Sequence, residues 1–118
     1  MPLAPVYRLT TFVPPPHEPA VRAAIALAGG ATYGRYRGVF WTSGPGVEQY
    51  EPLEGSHPVS GTIGQVSYGA SSMVLCLVER DDALLARVIE ALRAAHPWEE
   101  PAIFVDACEA FVAHPAEG

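Results

Sequence analysis

Met73-Val74-Leu75-Cys76-Leu77-Val78 is a run of six apolar residues that stops abruptly at Glu79-Arg80-Asp81-Asp82. A run this short, closed by charges, suits a strand in the middle of a sheet, covered on both faces. The strand is read as Ser72 to Glu79. Downstream, Asp81 or Asp82 starts a helix, because a short carboxylate accepts hydrogen bonds from the first unpaired amides and complements the helix dipole. Leu85, Val88, Ile89 and Leu92 make the inner face of that helix, with Arg87, Glu90 and Arg93 outside. His96-Pro97 ends it, Ala102 to Cys108 reads as the last strand, and His114 to Gly118 as a frayed tail.

Upstream, the 43–71 stretch is irregular. Ser43-Gly44-Pro45-Gly46 is a turn signal, Val47 to Tyr50 reads as a short returning hairpin arm with Tyr50 facing Phe40 and Trp41, and Glu51 to Gly64 is loop. A loop of this length in a small domain usually serves a function or an interface. Gly38 to Thr42 reads as a strand. Before it, Val21, Ala24, Ile25 and Ala28 share one face of a helix from Glu18 to Ala28, stopped by Gly29-Gly30. Val6 to Val13 is the first strand, bounded by Pro5 and by Pro14-Pro15-Pro16.

Strand, helix, strand, elaborated connection, strand, helix, strand is the order of an α+β ferredoxin-like βαββαβ fold. It implies a four-stranded antiparallel sheet with two helices on one face and an extra hairpin or loop at about 43–71. The opposite sheet face is then bare, and copies of the same chain are the simplest cover. With 118 residues the chain reads as a single domain, 1–118, with an ordered core of about 6–110.

Composition narrows the function classes. Hydrophobic residues form 49% and charged residues 17% of the chain, which places it among globular proteins. The net charge is −6 and all seven basic residues are scattered arginines, so neither nucleic acid nor an anionic membrane is an expected partner. No apolar run is long enough to span a bilayer, and Met1 to Leu9 has no secretory pattern. Cys76 and Cys108 are not spaced as a redox pair and read as two thiols in a reducing, cytoplasmic setting.

The most distinctive string is Ala95-His96-Pro97-Trp98-Glu99-Glu100-Pro101. Its structural reading is a helix stop, an apolar anchor at Trp98 and an extended lead into the last strand, with the His96 imidazole meeting the last free helix carbonyls. Its functional reading is a cleft lined by His96, Glu99 and Glu100, in which His96 and one carboxylate, Glu99 foremost, hold a divalent metal ion, or in which a polar ligand sits. Adjacent carboxylates in extended chain point apart, so only one can join His96. The 52–58 loop adds His57, which reads either as a solvated side chain or as a ligand, and Pro52-Leu53-Glu54-Gly55, either a tight turn or a ligand loop. Tyr33, Tyr36, Trp41 and Tyr50 read as an aromatic cluster, at a subunit seam or over the bare sheet face. No glycine run resembles a phosphate loop, and no Ser or Cys has a local His–acid pair.

His96 to Pro101 resembles the HPYEEP element of the PII-like insert domain in the Nif-three-like family, and an HPYE-x-P element in CutA proteins. Leu9 to His17, Gly30 to Tyr36, Gly44-Pro45-Gly46 and Tyr50 to Pro58 also resemble, in order, segments of that insert domain. Departures lie at Ser67 to Leu75, which lacks the insert's usual charges, at Val39, where a Cys is usual, and between Gly46 and Tyr50, where two extra residues fall. The resemblance implies a PII- or CutA-related fold that self-associates, often as a trimer. It also implies that the dimetal centre of full-length relatives lies in a flanking domain without a counterpart here, so no hydrolase activity is expected. The resulting expectation is a non-catalytic regulatory or ligand- or metal-sensing module. Its metal pair would be His96 and Glu99, and its ligand or interface residues Tyr36, Glu54, His57, Trp98 and Glu100. A protein-interaction scaffold is the alternative, and a metal-dependent enzyme the less favoured third. The cofactor is not specified beyond a divalent ion, and the expected partners are copies of the chain and a second protein.

Overall fold

A computed structural model describes residues 2–113. The first strand, β1 (Leu3–Val13), is followed by a 3-10 turn at Pro15–His17 and helix α1 (Glu18–Leu27). Two short strands, β2 (Trp41–Thr42) and β3 (Gly46–Tyr50), precede the long β4 (Ser67–Glu79). Helix α2 (Asp82–Ala95) and β5 (Ile103–Phe111) complete the chain, and the tail at 114–118 lies outside the described residues.

The sheet is antiparallel, in the order β2-β4-β1-β5, with β3 continuing along β4. This is the ferredoxin-like arrangement, and β4 is central as its apolar run requires. Register pairs Leu9 with Cys76 and Thr11 with Val74, so Leu9, Thr11, Val13, Val74, Cys76 and Val78 all face the helices and are buried. Val21 and Ile25 of α1 and Val88 and Leu92 of α2 close that core. Met73, Leu75 and Leu77, on the other face of β4, are only half-buried, because no helix or loop among the described residues covers that face. The expected double burial is therefore met on one side only.

Helix ends follow their sequence signals. Gly29, at φ 103°, sits where a left-handed residue is required, and the Gly30 and Gly29 amides donate to the Ile25 and Ala26 carbonyls. That pair of bonds is a Schellman stop. At α2 it is Asp81 that caps, its carboxylate accepting from the Leu84 amide at 3.0 Å.

Four expectations need correction. β1 starts at Leu3 and passes through Pro5, which opposes Glu109 in β5 beyond the last β1–β4 pair, Val6 with Glu79, so β4 offers no partner there. The Gly38–Thr42 strand shrinks to Trp41–Thr42. Ala31, held at φ 60°, donates its amide to the Leu77 carbonyl and uses up the edge of β4 beyond Trp41. The 46–50 segment does not return against 41–42. Ser43 pairs with Met73 through both its amide and its hydroxyl, an extra residue is absorbed at Gly44-Pro45, and β3 then runs on along Ser67–Ser71. Such a bulge bends a strand without ending it. As a result β4 begins at Ser67, and residues 67–71 with β3 form a two-stranded arm beyond β1. A molecule 50 Å long and 28 by 22 Å across accords with a thirteen-residue strand of about 43 Å.

Candidate functional site

The arm and the 51–60 loop lean against the segment after α2 and leave a cleft of about 310 Å³ between them. Its apolar walls are Pro52, Leu53, Val59, Tyr50 and Trp98. Glu48, Glu51, Glu99 and Glu100 line it as well, and no Lys or Arg does.

Local chemistry builds each wall. In the antiparallel ladder Glu48 opposes Gly69 and Tyr50 opposes Ser67, so both side chains project from one face of the arm. The Tyr50 hydroxyl bonds Ser60 Oγ at 2.8 Å, fastening the loop to the arm. Gly61 passes that contact at φ 92°, where a Cβ would come within 3.1 Å of the Tyr50 ring. The Ser56 hydroxyl donates to the Leu53 carbonyl, and the Gly64 amide donates to Pro52 O at 2.7 Å, closing the loop upon itself. Loop and post-helix segment are joined by one acid. The His57 amide donates to Glu99 Oε1 at 2.9 Å, and His57 Nδ1 lies 3.1 Å from Oε2. The amide bond and then the ring hold the Glu99 carboxyl below its usual range. Glu48 moves the other way, raised by burial.

His96 has a different part. It is 6% exposed, its Nε2 is 2.7 Å from Phe12 O, and its Nδ1 is 3.1 Å from the Trp98 amide nitrogen. An amide can only donate, so Nδ1 is the acceptor and Nε2 carries the proton given to Phe12. The imidazole ties α2 to β1, in place of the expected contact with the helix's own carbonyls. Burial is the main cause that lowers its pKa, opposed by the Phe12 bond.

Of the expected residues, Trp98 and Glu100 line the cleft and His57 latches its rim through Glu99. Glu54 and Tyr36 lie outside it; Tyr36 sits in a Tyr33–Tyr36 turn and is 73% exposed. His96 and Glu99 do not share a ligand set, since both His96 nitrogens are engaged and Glu99 turns to His57. The donors therefore do not fit a resident divalent ion at that pair. Nor do three His, Cys, Asp or Glu side chains gather as a metal group anywhere among the described residues. The four aromatics do not cluster: Tyr33 bonds Phe111 O, Trp41 lies on the open sheet face, and Tyr50 enters the cleft. Glu48, Tyr50, Glu51 and Ser60 were not singled out as ligand residues. Alternation along Val47–Tyr50 could have paired Glu48 with Tyr50, but only the unforeseen bulge shows what they face.

A four-stranded antiparallel sheet backed by two helices in this order is the fold of PII-like and CutA proteins. Solved structures agree. CutA from Xylella fastidiosa superimposes with a TM-score of 0.61 at 16% identity, over 86% of this chain and 81% of that one. The PII-like protein CutA from Nostoc gives 0.56 at 18%, over 85% and 78%. Within that class the chain resembles the Nif-three-like proteins. The Bacillus cereus protein related to NIF3 matches with a TM-score of 0.74 and 27% identity, over 90% of this chain and 26% of that one. The GTP cyclohydrolase 1 type 2 homolog of Mycobacterium leprae is 38% identical over 91 residues, 77% of this chain and 23% of the relative. The chain thus spans about a quarter of the length of the curated relatives it matches. No family model matches it. Among the described residues no helix is long and apolar enough to cross a membrane.

Proposed function

We propose that the domain is a non-catalytic, ligand-sensing regulatory module that works as a self-associated assembly, a trimer by its resemblance to the PII-like insert domain. The observation that carries the ligand-sensing reading is the cleft itself, walled by a loop and a post-helix segment that two hydrogen bonds between His57 and Glu99 tie together. A ligand seated there touches both parts at once and biases how they meet, which is what a sensor requires. Self-association is supported by the bare sheet face, where Trp41 and Phe104 are 56% and 57% exposed. Catalysis by this domain is not favoured. Cys76 is buried, with its thiol pushed up to about 12 by desolvation, and the His96 nitrogens are occupied by backbone. The name of the mycobacterial relative speaks of a GTP cyclohydrolase, yet no cationic side chain lines this cleft to hold a triphosphate.

Thermal denaturation across a panel of divalent salts, nucleotides, organic acids and amines tests the reading. A ligand that binds only the folded state raises Tm with concentration, the stabilisation growing as the logarithm of one plus the ratio of free ligand to Kd. A panel without any shift would remove the sensing function. The bare face would then favour the second reading, a protein-interaction scaffold.

A further inference from the structure

Granting that the cleft is a ligand site, we propose that it takes a small organic cation: an amine or guanidinium group carried on a short apolar body. Its volume of about 310 Å³ falls at the small end of ligand sites, which run from about 300 to 1,000 Å³. The walls divide into two chemistries. Tyr50 and Trp98 supply aromatic surface, and Pro52, Leu53 and Val59 supply aliphatic surface, which together match an apolar body. Aromatic faces also attract a cation lying over them. Glu48, Glu51 and Glu100 supply acceptors, and among the described residues no side chain or amide donates to any of them. Glu99 differs, being already satisfied by His57.

Carboxylates set around an apolar hollow repel an anion and call for donors. An ammonium brings three and a guanidinium five. A bare divalent ion fits less well, because it requires several oxygens packed within about 2.0–2.6 Å, and no three metal-binding side chains gather that closely among the described residues. Carboxylates spread across a hydrophobic surface suit a cation whose charge is diffuse or sits at the end of a carbon chain.

Calorimetric titration of the whole protein with agmatine, benzylamine, benzyl alcohol, benzoate, AMP and magnesium chloride decides it. Agmatine or benzylamine is expected to bind, and the uncharged and anionic counterparts are not. Joint substitution Glu51→Gln and Glu100→Gln keeps the shape of the cleft and is expected to weaken the cation about tenfold or more. The joint substitution Glu90→Gln and Glu109→Gln, on α2 and β5 away from the cleft, removes the same two charges, leaves binding unchanged and controls for net charge. Binding of benzoate, AMP or magnesium in place of the amines would overturn the cation inference while leaving a ligand site standing. Cation binding that ignores the double substitution would also overturn it. Silence from every probe would overturn the cation inference, while the sensing function stands or falls on the broader thermal panel.

Discussion

His96 shows how one side chain can be conspicuous in a sequence for a reason other than chemistry. Its imidazole is a neutral bridge with a fixed tautomer, accepting from Trp98 and donating to Phe12. His96→Ala leaves a buried carbonyl and an amide unpaired, at about 1–3 kcal/mol for each, so a loss of about 2–6 kcal/mol is expected in chemical denaturation. The sign of its pH dependence follows from its lowered pKa. Below the ordinary value of 6.5 the unfolded chain takes up a proton that the folded one resists. The stabilisation is thus complete above pH 6.5 and is lost as pH falls through the folded value. Denaturant midpoints measured from pH 8 downward should decline in that window in the wild type and be flatter in His96→Gln. The sequence sets His96, Trp98, Glu99 and Glu100 apart as one distinctive string, but nothing in it tells a backbone tie from a metal ligand. That distinction lies in Phe12, 84 positions away.

Elements were legible wherever local chemistry decides them. The caps at Gly29 and Asp81, the buried faces of both helices and the apolar half of β4 all follow from spacing and propensity. The Asp81 cap can be checked by itself: Asp81→Ala removes the acceptor for Leu84 and is expected to cost about 1 kcal/mol in thermal unfolding, while Asp81→Asn costs less. Legibility failed between 43 and 71. There the outcome turns on which edge of β4 is still open, and the Ala31 amide and the Ser43 hydroxyl settle that from a distance in sequence. Ser-Gly-Pro-Gly signals a departure from regular strand; nothing in it distinguishes a turn from a bulge. The cleft inherits that uncertainty, since Glu48 and Tyr50 face it only because β3 runs onward.

For the whole molecule, the bare face was foreseen from element order alone, and the register now says what it carries. Trp41 stands opposite Leu75, and Phe104 opposite Thr10 and edge-on to Phe12, around an exposed Arg8–Asp106 pair. The ion pair, with both partners half exposed, adds little to stability. If copies of the chain cover this face, a charge placed at its apolar points should dissociate them. The double variant Trp41→Asp and Phe104→Asp is expected to sediment as a monomer with its circular dichroism retained. An unchanged mass would place the contact elsewhere.

One strand serves both ends of this protein. Along 72–79, β4 is clamped by β1; along 67–71 it is held only by β3, with Gly69 in open space between them and the tip. Anything that tugs the arm therefore flexes a beam rooted in the middle of the sheet, and the load arrives at Met73 and Leu75, on the open face that the proposed assembly would use. Occupancy at the tip and grip between copies would in that case be mechanically wired through a single backbone.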